Sequence, residues 1–144
     1  MSKLTLDVSR RIVAAGMDIA AQRAVGRATM VVTDPAGVIY CLERNDASGA
    51  YGVDFALAKA RTALGMQRST MDLADAFIDR PGIVASLAGA VGGNFLPMGG
   101  GVVIVDGAGM TLGAVAFSGA PHEIDHEIAV AAVKASGLSI LESR

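Results

Sequence analysis

One turn sequence occurs twice in the chain, each time between two apolar segments, and it constrains the fold more than any other feature. Residues 34–37 and 106–109 both read Asp, a variable residue, Ala and Gly. In such turns the Asp side chain accepts hydrogen bonds from the following backbone, and Gly adopts a positive φ. Each segment is therefore predicted to be a β-hairpin, and we interpret the repetition as shared turn chemistry rather than gene duplication. The predicted strands cover 28–34, 38–43, 102–105 and 111–117.

Helical segments separate and flank the two hairpins. Apolar residues recur at helical spacing near the start of the chain, and Pro121 stands at the start of the last apolar segment, where its missing N–H costs nothing. Their order predicts one antiparallel sheet with helices packed on it, an α/β fold of the α+β type. Predicted helices cover 4–25, 53–64, 71–79 (capped by Ser69 and Thr70) and 121–136, while 83–91 is ambiguous and 92–101 is a loop.

The composition is apolar for a lone domain. The 144 residues have the usual length of a single domain, here 1–144, and 52% are hydrophobic while 18% are charged. We attribute the excess to surface buried between subunits, which predicts a homo-oligomer. A net charge of −2 without a basic stripe argues against nucleic-acid binding. Because Cys41 is the single cysteine, and neither a signal peptide nor a membrane-spanning segment is visible, we expect a cytoplasmic protein without a membrane partner.

Three consecutive glycines, Gly99, Gly100 and Gly101, precede the third predicted strand. They lack the Lys-Ser/Thr of a P-loop and the spacing of a dinucleotide fingerprint, so phosphate binding is not favoured. Two interpretations stay open. Either the backbone here closely approaches a flat ligand or a partner subunit, or the chain makes a turn that requires positive φ.

The segment from His122 to His126 matches the H-E-x-x-H pattern of zinc proteases. The chain has no further histidine as a third ligand, and the segment lies at a helix start, where Glu123 and Asp125 are favoured by the helix dipole. A solvated helix terminus is therefore favoured over a zinc site. His122 by itself could ligate a metal or haem iron or act as a general acid or base, and the alternative is a surface histidine.

Two charged segments are further candidates. Lys59 and Thr62 lie three positions apart on one face of the second predicted helix, where they form either a charged lip over a pocket or a solvated face. Arg44 lies in the segment 43–46 that ends the first hairpin, where it pairs internally, holds a polar ligand group or is simply exposed.

Four stretches of the chain form a recognisable set. They are the first hairpin at 31–47, Ala-Leu-Ala-Lys-Ala-Arg-Thr-Ala at 56–63, Gly-Gly-Gly-Val-Val-Ile at 99–104, and Gly-Ala-Val-Ala-Phe-Ser-Gly-Ala at 113–120 followed by Asp125. In order and spacing the set resembles the GlcG/HbpS-like family, often labelled haem-degrading, which includes the C-terminal domain of PduO-type proteins. The resemblance implies a profilin-like fold with a five-stranded antiparallel sheet flanked by helices. It also implies a dimer-based homo-oligomer, such as a tetramer or an octamer.

Some members of this family bind haem, and others are encoded beside catabolic genes. In haem-binding members the iron is approached from the loop after Ser-Gly-Ala or by a histidine elsewhere, which here makes His122 the candidate iron ligand. The chain departs from the common pattern at 45–48, at Met66, and at His122 and His126. These positions surround the expected pocket and could mark an altered small-molecule site.

Two functions from different classes follow. The first is a small-ligand-binding domain for haem or a related flat tetrapyrrole, which needs an apolar crevice and an axial ligand. Its expected ligand-binding residues are Arg44, Phe95, Met98, Gly99, Gly100, Gly101, Phe117 and Ser118, with His122 on the metal. The alternative is a small catabolic-pathway enzyme, an isomerase, lyase or hydrolase. There His122 is the general acid or base, Asp125 orients it, and Lys59 or Arg44 binds a substrate carboxylate. A third reading is a structural oligomer without a ligand.

Overall fold

The two predicted hairpins form the sheet of this computed structural model, which describes residues 3–142. The strands are β1 (Thr29–Thr33), β2 (Ile39–Arg44), β3 (Gly101–Val105), β4 (Thr111–Ser118) and the two-residue β5 (Ser139–Ile140). Their order in the sheet is β2-β1-β4-β3-β5, and every pairing is antiparallel. The five-stranded antiparallel sheet that the resemblance implied is confirmed. The residue pattern alone predicted four of these strands, since β5 is too short to show a period.

The two hairpin turns have the same hydrogen bonds. Asp34 Oδ1 accepts from the backbone N–H groups of residues 36 and 38, at 2.8 and 3.0 Å. Asp106 Oδ1 accepts the equivalent pair, at 2.9 Å each. Gly37 and Gly109 end the turns with φ values of 80° and 82°. The turn chemistry predicted from the sequence is therefore confirmed.

Helices account for most of the remaining described chain. Thr5 Oγ1 caps the first by accepting from the Val8 N–H, and the chain turns after Gln22 with Ala24 at a φ of 56°, so this helix is shorter than the predicted 4–25. The ambiguous segment 83–91 lies, up to Ala90, in a helix that starts at a proline. The bounds are α1 Leu6–Gln22, α2 Gly52–Met66, α3 Thr70–Ala76, α4 Pro81–Ala90 and α5 His122–Ala135.

The sheet has different packing on its two faces. Val115 and Phe117 of β4 belong to the large core formed with α1 and α5, whereas Ala114 and Ala116 pack against α2. Since side chains alternate along a strand, Ser118 continues the row that faces α2. Small side chains on this face let α2 lie close to the sheet.

The glycines at 99–101 lie where α2 and α5 approach the start of β3. A Cβ on the first would collide with the carbonyl oxygen of His122, on the second with that of Phe117, and on the third with that of Lys59. The second, Gly100, also has a positive φ of 134°. The positive φ of Gly100 agrees with the interpretation as a turn, whereas the close approach is to the chain's own backbone rather than to a ligand or a partner subunit.

Gly101→Ala is expected to destabilise the fold by about 1–3 kcal/mol, because the added methyl group meets the backbone of α2 rather than a movable side chain. Urea unfolding measures the change. Gly107→Ala is the matched control, since a Cβ there has no neighbour within 4 Å. Equal unfolding midpoints for the two variants would contradict the close packing described here.

Candidate functional site

A cavity of about 510 Å³ lies where β4 leaves the sheet, on the side of α2. Its walls come from the first turns of α2 and α5, the segment before α2, the loop before β3 and the turn after β4. A volume of this size is in the usual range for small-molecule and cofactor sites. The lining residues are Arg27, Ser48, Gly49, Ala50, Tyr51, Gly52, Phe55, Lys59, Leu96, Met98, Ser118, Gly119, Ala120, His122 and Asp125.

Much of the cavity wall is apolar. Tyr51 and Phe55 stack with their ring centroids 5.8 Å apart and 25° between the ring planes. They are 68% and 48% exposed, and Leu96 and Met98 lie on the same cavity. Exposed aromatic and thioether groups around a cavity favour a ligand with an apolar body.

Three lining residues are more than nine-tenths buried, and we call them the buried end of the cavity: Lys59, Ser118 and Asp125. Lys59 Nζ lies 3.0 Å from Asp125 Oδ2, and each side chain is 3% exposed. Lys59 Nζ also donates to the Phe117 carbonyl oxygen at 3.3 Å. Lys59 is thus neither a charged lip nor part of a solvated face, because its amine lies in a buried ion pair.

Asp125 is held by hydrogen bonds as well as by charge. Its Oδ1 accepts from the Ala120 N–H at 2.8 Å, which fixes the turn between β4 and α5. Burial raises the pKa of the Asp125 carboxyl above its ordinary value, while the Lys59 ammonium and the backbone N–H groups of Ala120 and Gly119 oppose that rise. Asp125 was expected to orient His122, but its hydrogen-bond partners are Lys59 and the turn.

His122 lies in the cavity wall, and each of its ring nitrogens has a protein neighbour. Nδ1 accepts from the Gly99 N–H at 2.9 Å, and Nε2 lies 3.2 Å from Glu123 Oε1. The side chain is 29% exposed. Because Nδ1 acts as an acceptor, the neutral ring carries its proton on Nε2. Glu123, rather than Asp125, is therefore the carboxylate beside this imidazole.

His126 does not line the cavity. Its Nδ1 is buried and has no hydrogen-bond partner among the described residues. Burial lowers the pKa of His126, against the opposing charges of Asp72 and Glu127. In the part of the chain between residues 3 and 142, no group of three or more His, Cys, Asp or Glu side chains could hold a metal ion. Among these residues, the structure thus supplies no third protein ligand for a zinc ion bound by His122 and His126.

Several predicted ligand-binding residues lie away from the cavity. Arg44 is exposed at the end of β2. Phe95 is 8% exposed and contacts Phe77 edge to face. Phe117 is fully buried in the core on the α1/α5 face, and the glycines at 99–101 are buried under the helices. Of the eight predicted ligand-binding positions, Met98 and Ser118 line the cavity. His122, Lys59 and Asp125, which were predicted as metal-binding or catalytic residues, line it as well.

The sequence reading missed Arg27, Tyr51 and Phe55. Tyr51 directly before α2, and Phe55 and Lys59 within it, follow one another at four-residue spacing, which places them on one side and was a usable signal. Arg27 precedes β1 in an irregular segment and had no such pattern. Thr62 does not line the cavity, but its Oγ1 accepts from the Leu96 N–H at 2.8 Å and so tethers the loop that does.

A family comparison now accounts for the chain as a whole. The family model described as haem degrading protein HbpS-like matches residues 4–134. The chain belongs to the HbpS-like family. The family predicted from the four sequence stretches is therefore confirmed, although no curated protein sequence matches the chain significantly.

Solved structures share the fold of this HbpS-like chain. A PduOC:heme complex superposes with a TM-score of 0.86 at 24% identity, over 98% of this chain and all of the other. Klebsiella pneumoniae ORFY gives a TM-score of 0.84 at 24% identity, covering 95% and 93%. A double mutant of Streptomyces reticuli HbpS gives 0.79 at 24% identity, covering 94% and 88%. At this identity the likeness extends to the fold alone. Over residues 3–142, none of the helices combines the length and the apolar character needed to cross a membrane.

Lys59→Met is expected to destabilise the protein by about 3–5 kcal/mol, because it leaves the Asp125 carboxylate buried without its counter-charge. Denaturant unfolding measures the loss. The double variant Lys59→Met/Asp125→Leu is expected to be more stable than the single variant, since it removes both charges and keeps the volume. A double variant as unstable as the single one would show that packing, not charge, accounts for the loss.

Proposed function

We propose that this HbpS-like protein is a small-ligand-binding domain whose ligand is haem or a related flat tetrapyrrole. The observation that carries the proposal is the cavity of about 510 Å³, in which apolar side chains stand beside His122. Membership of a family described as haem degrading supports this ligand class. So does the shared fold with PduOC, which was crystallised as a heme complex.

The cavity wall suits a flat ring. The Tyr51 and Phe55 rings and the Met98 thioether supply apolar and polarisable contact surface. Arg27 lies on the same cavity and is exposed, so it can pair with an acidic substituent of a bound ring.

His122 is the candidate axial ligand, and its hydrogen bonds define what coordination requires. A metal binds a nitrogen lone pair, and Nδ1 already accepts from the Gly99 N–H. Coordination through Nε2 therefore needs the ring proton to move to Nδ1, which gives up the hydrogen bond from the Gly99 N–H, because a neutral imidazole does not lose its remaining proton to a carboxylate such as Glu123. A bound haem would supply an iron centre at this wall of the cavity, and the protein would supply its orientation.

Hemin added to the purified protein is expected to shift its Soret band to that of a coordinated haem. His122→Ala is expected to abolish the shift, because it removes the candidate iron ligand, and absorbance titration measures both. Met98→Leu is the control, since it removes the other candidate donor in the cavity at nearly constant volume. No Soret change with the unmodified protein would exclude haem, and a spectrum lost only in Met98→Leu would transfer the axial role to Met98.

One contact also favours a catalytic role for the same histidine. The His122 imidazole on the cavity wall, with the Glu123 carboxylate beside it outside the cavity, can exchange a proton with a bound molecule. A small catabolic-pathway isomerase, lyase or hydrolase would use His122 as its general acid or base. Turnover that survives His122→Ala in a folded variant would exclude that role.

We further propose that the protein is a homo-oligomer acting in the cytoplasm. No residue of α4 is buried, and the segment 81–94 carries no charged side chain. Ile83 and Val91 within this segment are 45% and 49% exposed, and Ile78 just before it is 75% exposed. Exposed apolar side chains without neighbouring charges are typical of surfaces that another subunit covers. The unpaired Cys41 thiol supports a reducing compartment.

Ile83→Glu is expected to shift the protein to a smaller assembly, because it places a charge in this uncharged surface. Light scattering coupled to gel filtration measures the mass. Met110→Glu is the control, because Met110 is 66% exposed in the turn between β3 and β4. An unchanged mass for Ile83→Glu would contradict an interface on α4, and a monomeric unmodified protein would contradict the oligomer itself.

A further inference from the structure

The buried end of the cavity contains a hydroxyl group that the protein does not use. Ser118 is 8% exposed and lines the cavity, and the alternation of β4 places its side chain on the α2 face. Among the described residues, its hydroxyl has no hydrogen-bond partner. Because this hydroxyl borders the cavity and is not committed to a protein group, it can pair with a ligand atom there.

Lys59 supplies a second donor at the same place. Its ammonium has three N–H groups, of which one is directed to Asp125 Oδ2 and one to the Phe117 carbonyl oxygen. Within residues 3–142 no other acceptor lies within hydrogen-bond distance of Lys59 Nζ. One N–H of a buried cation is therefore available to a ligand.

Each oxygen of the neighbouring Asp125 carboxylate already accepts a hydrogen bond from the protein. Asp125 Oδ2 accepts from Lys59, and Oδ1 accepts from the Ala120 N–H. The acidic residues Asp54 and Glu123, in the first turns of α2 and α5, are exposed and do not line the cavity. At the buried end, the Ser118 hydroxyl and the Lys59 ammonium can thus both donate to an acceptor atom of a ligand.

The backbone adds to the same preference. Both α2 and α5 begin at the cavity, and neither first turn is capped by a side chain. Uncapped first turns leave backbone N–H groups that can donate to an anion, although Asp54, Glu123 and Asp125 in these turns already offset part of the helix dipole. This effect acts together with the Ser118 hydroxyl and the Lys59 ammonium.

We propose that Ser118 Oγ and Lys59 Nζ bind a carboxylate of the ligand, so that the ligand is an acid with an apolar body. The inference rests on the proposed function in placing the ligand in this cavity, and it adds the group by which the ligand is recognised. A propionate of a tetrapyrrole and the carboxylate of a small aromatic acid carry the same chemistry, and the experiment separates them.

Two acid and ester pairs test the proposal: protoporphyrin IX with its dimethyl ester, and benzoate with methyl benzoate. Porphyrin fluorescence and amide chemical-shift titrations give the dissociation constants. The acid of whichever pair binds is expected to bind about tenfold or more tightly than its ester, as a hydrogen-bonded charge does. Ser118→Ala is expected to weaken binding of the acid about tenfold and that of the ester by clearly less, because a neutral ester carbonyl accepts a weaker hydrogen bond than a carboxylate does.

Two further variants separate recognition from general damage. Lys59→Met/Asp125→Leu, which keeps the volume of the ion pair, is expected to remove the preference for the acid over the ester. Ser86→Ala is the matched control, because Ser86 is exposed on α4 and its hydroxyl donates to the Gly82 carbonyl oxygen. This control is expected to bind every probe as the unmodified protein does.

The outcomes distinguish the two proposals. Porphyrin binding without preference for the acid, or without an effect of Ser118→Ala, overturns the carboxylate site while ligand binding stands. Selective benzoate binding, without binding of protoporphyrin IX or hemin, leaves the carboxylate site and overturns the tetrapyrrole. Hemin binding without binding of either acid probe overturns the carboxylate site alone. If hemin and both acids fail to bind, both proposals are overturned.

Discussion

The buried ion pair between Lys59 and Asp125 joins the two sides of this protein. It connects α2, on one face of the sheet, to the first turn of α5, which packs on the other. Each charge is taken out of water, so each needs the other to remain buried at an acceptable cost. Gly100 is required beside the pair, because a Cβ there would press against the Lys59 side chain and the Phe117 carbonyl oxygen. The fold and the cavity therefore depend on the same contact.

The stripe of α2 that carries Lys59 also builds the rest of the site. Tyr51 and Phe55, on earlier turns, form the aromatic wall, and Thr62 Oγ1, on the following turn, holds the loop that carries Leu96. An alanine layer under the helix brings this stripe close to the sheet. The site thus has an apolar mouth and a polar buried end, which favours a ligand that is itself apolar at one end and acidic at the other.

The sequence and the comparisons agree on the family. Neither identifies a ligand, so the proposed ligand class is argued from the cavity. The match over residues 4–134 makes the chain a member of the HbpS-like family, and solved structures at 24% identity share its fold. Several cavity residues lie outside the stretches that carried the resemblance, among them Tyr51 and Arg27. His122, at which the chain departs from the common pattern, is held by Gly99 within one of those stretches.

Local sequence determined the two hairpins and the long helices, because turn chemistry and helical periodicity depend on neighbouring residues. The sequence also identified the family and singled out His122 as a candidate functional residue. Tertiary structure decided which of these residues meet. Lys59 fits an exposed helix face by local pattern, yet it is buried because Asp125, 66 positions away, lies against it. Phe117 and Ser118 are adjacent in sequence, but alternation along β4 sends one into the core and the other to the cavity. The periodicity of a sequence shows that a strand or helix has two different faces, and only packing between distant segments decides which of them lines the cavity.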